Sequence, residues 1–144
     1  MAKQLYYEDV QEGTEITPLE KIPTTRTLVM YAGASGDFFE LHYDKDFATG
    51  MGFPNVIIHG RLGSAFITQM LTDWVGAQGQ VRKFSVQYRG NAFPGQKFIC
   101  KGKVTKKYVK NGEHCVECEV WGENPEGQKV TPGSAMVILP SKGR

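Results

Sequence analysis

The chain is 144 residues long, 40% hydrophobic and 22% charged, the size and make-up expected of one soluble domain around one core. Seventeen Lys and Arg against fifteen Asp and Glu leave a net charge of +2, too small an excess of cations for a nucleic-acid-binding surface. Apolar runs such as Val56-Ile57-Ile58 are far short of a bilayer span, and the opening residues carry no apolar signal core, so no membrane association and a cytoplasmic setting are expected.

In chain order, residues 1–23 read as an entry segment, with a turn at Gly13 and a short strand over 14–17 before Pro18. Thr24 or Thr25 caps a helix in which Leu28, Tyr31 and Ala32 recur at helical spacing, and Gly33 to Gly36 end it. A loop over 36–43 carries Asp37 and His42, and Asp44 caps a short helix stopped by Gly50 and Gly52. The strongest periodicity follows. Leu62, Phe66, Ile67, Met70, Leu71 and Trp74 fit a 3.6-residue repeat, and small residues fill the early positions between them. Almost no charge lies between Arg61 and Asp73, which predicts a helix over 61–75, buried nearly all round and about 20 Å long.

After Gly79 the period changes from helix to strand. Phe84, Val86 and Tyr88 alternate with polar residues, as do Phe98, Cys100 and Val104. Asn111-Gly112 is a hairpin signal, and strands over 114–121 and 129–139 complete the run. Four alternating strands behind one apolar helix predict an α+β fold, an antiparallel sheet curled around a long buried helix. No repeat, low-complexity tract or linker divides residues 1–144, so one domain is expected. Lysines 97, 101, 103, 106, 107 and 110 read either as a phosphate site or as a solvated outer sheet face, and their alternation favours the second.

Three cysteines cannot all pair within the chain, in keeping with a reducing compartment. Cys115-Val116-Glu117-Cys118, beside His114, has C-x-x-C form. Its alternation is that of a strand, where residues three apart face opposite ways, so the two sulfurs do not share an ion. No second cysteine pair completes a zinc site, and no metal is expected.

The chemistry-bearing residues cluster earlier. Asp37 and His42 on one constrained loop either form a proton-transfer pair around a water or serve only to shape the loop. Gly60 would open the long helix, whose first N–H groups lack internal partners. It either exposes such an N–H to a ligand carbonyl or merely allows close helix packing.

The string Tyr31-Ala-Gly-Ala-Ser-Gly-Asp37-Phe-Phe-Glu-Leu-His42-Tyr-Asp44, with Phe47-Ala48 after it, resembles the hydratase signature of the MaoC-like family. These are (R)-specific enoyl-thioester hydratases and dehydratases of the hot-dog fold. His59-Gly60 is similar to the family element that opens the hot-dog helix, and Val86-Gln87-Tyr88-Arg89 with Pro94-Gly95-Gln96 to its strand and turn. The likeness covers about residues 5–140. It implies a single hot-dog domain in which Asp37 and His42 are the catalytic pair and the Gly60 N–H polarises the thioester carbonyl. It implies no metal or redox cofactor, with coenzyme A or acyl carrier protein present only as part of an acyl thioester substrate. It also implies a homodimer or higher homo-oligomer, with a heterodimer as the alternative.

Where the family usually has Asn-Pro between the pair, this chain has Phe39 and Glu40. Phe39, His59, Arg61 and Ser64 are candidate substrate-binding residues, and Arg61 is expected to pair with Glu40 or to meet a polar or acidic acyl group. The alternatives to a self-sufficient hydratase are a hot-dog subunit that needs a partner chain and, less favoured, an acyl thioesterase.

Overall fold

The computed structural model describes residues 3–143. Its elements are β1 (Leu19–Lys21), α1 (Thr25–Ser35), α2 (Lys45–Gly50), α3 (Gly60–Val75), β2 (Gln80–Val86), β3 (Phe98–Lys110), β4 (Glu113–Glu123) and β5 (Lys129–Leu139). The strands form one sheet in the order β1-β3-β4-β5-β2, every neighbour antiparallel. The expected architecture, an antiparallel sheet packed on the long helix, is present, with β1 as a fifth strand.

Local chemistry sets most boundaries. Thr24 caps α1 reciprocally with Thr27: each residue's backbone N–H donates to the other's hydroxyl. Gly36, at φ 76°, closes the helix in the left-handed region, with its N–H donating to Ala32 O. Asp44 accepts the Phe47 N–H and starts α2. The β3–β4 hairpin turns at Asn111 (φ 52°) and Gly112 (φ 77°), the two positive φ angles that this tight turn requires.

Helix α3 packs against the sheet through Leu62, Gly63, Ile67, Met70, Leu71 and Val75, all buried. Phe98 explains how close the two layers sit. A Cβ at Gly63 would lie 3.1 Å from the Phe98 ring, and one at Gly122 2.2 Å from it. Two glycines, one on the helix and one on β4, therefore make the slot that this ring fills.

Four expectations change. The strand expected over 14–17 is only partly paired. Ile16 N–H donates to Gly102 O and Thr14 O accepts from Val104, but Glu15–Lys103 is the one bridge. Pro18 interrupts it, and regular pairing begins at Leu19. Helix α3 is not buried all round: Arg61, Ala65, Gln69, Thr72 and Asp73 are exposed, because one five-stranded sheet covers only one side of a helix. Lys107 is not on the solvated face, since its ammonium donates to Tyr7 O and Val10 O, each at 2.7 Å. Cys115, expected opposite the core, is 4% exposed and buried like Cys118. Lys97, Lys101 and Lys103 do lie among carboxylates, paired with Glu20, Glu123 and Glu119. Such exposed pairs contribute little to stability.

Candidate active site

The site is built by residues 31–61, before the strands β2 to β5 begin. After Gly36 ends α1, the chain turns sharply. The Asp37 N–H donates to Ser35 Oγ, and the Phe39 N–H donates to Asp37 Oδ1. A single 3-10 turn, Glu40–His42, then brings His42 inward. The segment 56–58 clamps this turn from the other side. Ile57 N–H donates to Leu41 O, and Ile57 O faces His42 Nδ1 at 2.9 Å.

A carbonyl oxygen can only accept, so Nδ1 of His42 carries a proton, and in the neutral ring Nε2 keeps its lone pair. That lone pair faces Asp37 Oδ2 at 3.9 Å, a gap that a shared water oxygen can bridge on either side. The His42 side chain is 10% exposed and that of Asp37 44% exposed, so the pair sits at a protein–solvent boundary. Phe39 lies edge-on to His42 with centroids 6.0 Å apart and also meets Phe47. Glu40 makes no ion pair among the described residues, with Arg61 or any other cation.

His59 is 1% exposed. Its ring stacks on His42, centroids 3.9 Å apart and planes at 21°, and meets the edge of Tyr31 at 4.8 Å. Nε2 lies 3.4 Å from the Asp37 carbonyl oxygen, while Nδ1 is buried without a partner. Burial first, and then the neighbouring His42, hold its pKa below the ordinary histidine value of 6.5. Expected as a substrate contact, His59 instead belongs to the wall behind the pair.

Gly60 opens α3 after His59, which provides no side-chain cap. Its N–H has no hydrogen bond among the described residues, and the residue is exposed. The packing reading of this glycine holds: a Cβ here would lie 2.8 Å from Cδ1 of Tyr88, so the position must stay bare.

Arg61 is exposed and lines a cleft of about 310 Å³ with Tyr31, Ser35, Gly36 and Asp37. It has no carboxylate partner among the described residues. Ser64 faces neither Asp37 nor His42: its hydroxyl donates to Arg61 O and accepts from the Tyr88 hydroxyl at 3.4 Å. Tyr88 was missed as a site residue. Its string was read as strand, whereas β2 ends at Val86 and leaves Tyr88 to cover Gly60. Two larger hollows, about 730 Å³ beside the end of α3 and about 420 Å³ over β2 to β5, contain neither Asp37 nor His42.

Asp37, His42 and His59 each offer one ligand atom within 4.8 Å of the others, the one such trio among the described residues. They fit a metal ion poorly. Imidazole lone pairs lie in the ring plane, and two nearly parallel stacked rings cannot both aim at an ion about 2.1 Å away.

Residues 9–122 match the family model described as MaoC like domain. The chain is 26% identical over 144 residues to the (R)-specific enoyl-CoA hydratase of Rhodospirillum rubrum, covering 96% of this chain and 94% of that protein. It is 37% identical over 110 residues to the fatty acid synthase beta subunit TOXC of Cochliobolus carbonum; the match takes 74% of this chain but spans only 5% of that protein. Its fold resembles that of the R-hydratase PhaJ1 from Pseudomonas aeruginosa, with a TM-score of 0.86 at 23% identity over 96% of this chain and 88% of that one.

Proposed function

The chain belongs to the MaoC-like family, and on that premise we propose that it is a hydratase/dehydratase interconverting trans-2-enoyl and 3-hydroxyacyl thioesters. The observation that carries this reading is the His42–Asp37 pair. A proton-accepting nitrogen and a carboxylate stand 3.9 Å apart, the carboxylate lining a cleft with Arg61, and the Gly60 amide follows the imidazole stacked on His42.

In the hydration direction, His42 Nε2 takes a proton from water as the water oxygen bonds to the β-carbon. The π electrons move to the thioester oxygen, where the Gly60 N–H stabilises the developing negative charge. Asp37 orients the water, takes the water-derived proton from His42 across the gap and delivers it to the α-carbon. That relay returns both groups to the state in which they began. The net change is one water added and no electron gained or lost, so no redox group is required. Coenzyme A or acyl carrier protein enters only as the carrier half of the substrate.

Phe38, Tyr43 and Phe47 stand exposed beside the pair, and α3 leaves one side open. These surfaces support an assembly of two copies, or of this chain with a related one, that completes the acyl pocket. The three free thiols suit a cytoplasmic setting.

Purified protein mixed with crotonyl-CoA tests the activity. Loss of the enoyl thioester with appearance of 3-hydroxybutyryl-CoA supports it. Release of free thiol would show a thioesterase, and turnover only after a second chain is added would show a subunit of a heteromeric enzyme.

A further inference from the structure

We propose that His59 is a positioning residue that locks the Asp37 loop, the His42 ring and the Gly60 amide into one arrangement, as a neutral imidazole protonated on Nε2. The proposal rests on the hydratase reading above. At 1% exposure His59 has no surface to offer a substrate, yet it is attached to all three parts of the site.

The first attachment is to Asp37. The carbonyl at 3.4 Å can only accept, so His59 Nε2 donates and holds the backbone of the residue whose side chain meets water. The second is to His42. The ring stack at 3.9 Å blocks one face of the base, while Ile57 O fixes its Nδ1, so the lone pair of His42 keeps one direction. The third is covalent, since the next amide in the chain is that of Gly60. A tilt of the His59 ring would disturb both its contact with the Asp37 carbonyl and its stack on His42.

The charge state follows from the same contacts. The ionisable groups facing His59 are Asp37 from the loop after α1, Tyr31 from α1 and His42 from the 3-10 turn. With Nε2–H committed to Asp37 O, a second proton would have to sit on Nδ1, which is buried with nothing to accept it. It would also place a cation face to face with the ring that becomes cationic during turnover. Two stacked cationic rings would repel, and the contacts of His59 make it the neutral one.

Long-range 1H–15N correlation spectra of the wild-type protein, recorded without substrate between about pH 5 and 8, read the tautomer and charge of each imidazole. The expected result is an Nε2–H pattern for His59 that does not titrate across this range. An Nδ1–H tautomer, or titration at the ordinary histidine value, overturns the proposal. His59→Phe keeps a ring face but removes the donor, and His59→Gln keeps a donor but removes the ring. Each is expected to lower kcat by about 10–100-fold while KM stays within about two-fold. A raised KM with kcat unchanged would make His59 a substrate contact and also overturn it. If the wild-type chain hydrates no enoyl thioester, the functional reading fails by itself, and the spectra still decide the state of His59. The spectra likewise decide it should either variant not fold.

Discussion

His42 Nδ1 lies 2.9 Å from the carbonyl oxygen of Ile57, and this contact determines which nitrogen of the ring is free to act as a base. The segment 56–58 thereby sets the tautomer of a residue fifteen positions away. His42→Ala removes the base, and Asp37→Asn removes the group that orients water and supplies the α-proton. Each is expected to lower kcat for crotonyl-CoA hydration by about 10²–10⁴-fold with the fold retained by circular dichroism. Turnover equal to wild type in either variant would remove that residue from the mechanism.

Gly60→Ala tests the amide. A Cβ would come within 2.8 Å of the Tyr88 ring, so the ring or the first turn of α3 must shift. A displacement near 1 Å of a stabilising donor is expected to cost about 10²-fold in kcat. Tyr88→Ala combined with Gly60→Ala removes the clash, and steady-state kinetics on the double variant should recover part of that loss.

Stability carries a pH signature from His59. Its folded pKa lies below 6.5 because of burial and then His42, whereas in the unfolded chain it is ordinary. Between the two values the unfolded chain binds a proton that the folded chain does not, so stability rises with pH there. His59's contribution is complete above 6.5 and is lost as pH falls below it. Thermal unfolding from about pH 7.5 down to about 5.5 should lower the Tm of wild type more than that of His59→Phe. Equal slopes would contradict it.

The cysteines should be inert in the native protein. Burial pushes the thiols of Cys100 and Cys118 up to about 12, and Cys115 is 4% exposed. An aromatic disulfide reagent should label none of the three free thiols in native protein and all three in denaturant. Rapid native labelling would show that β4 opens readily.

Arg61 shares its cleft with Asp37 and has no carboxylate partner among the described residues. If it reads the acyl group, Arg61→Met should lower kcat/KM for carboxylated enoyl thioesters about 10-fold or more, with crotonyl-CoA changed within about two-fold. Equal losses on both substrates would remove Arg61 as a selector of acidic acyl groups.

What was legible in the sequence was what depends on near neighbours. The spacing of Leu62, Ile67, Met70 and Leu71 marks α3, Asp44 marks the start of α2, and Asn111-Gly112 marks the hairpin. Asp37, His42 and Gly60 stood out by residue type and spacing, and the fold sets the side chains of Asp37 and His42 3.9 Å apart. The rest depended on distant chain. The register shift between Val104 and Lys106 reverses the facing of later β3 residues, which is why Lys107 turns in to the carbonyls of Tyr7 and Val10. His59 read as a substrate contact because its contacts with Tyr31 and His42 exist only once α1 and the 37–42 loop have folded beside it. Tyr88 carried no signal as a site residue, since its partner Gly60 is on another element.

The acid–base pair, the imidazole behind it and the polarising amide all come from one stretch, residues 37–60, while the extensive strand pairing is made later in the chain. That stretch is scaffold as well, since Leu41, Ala48, Val56, Ile57 and Ile58 lie in one core with α3 and the sheet, so a substitution there can remove the chemistry and keep the fold only where those five side chains stay in place.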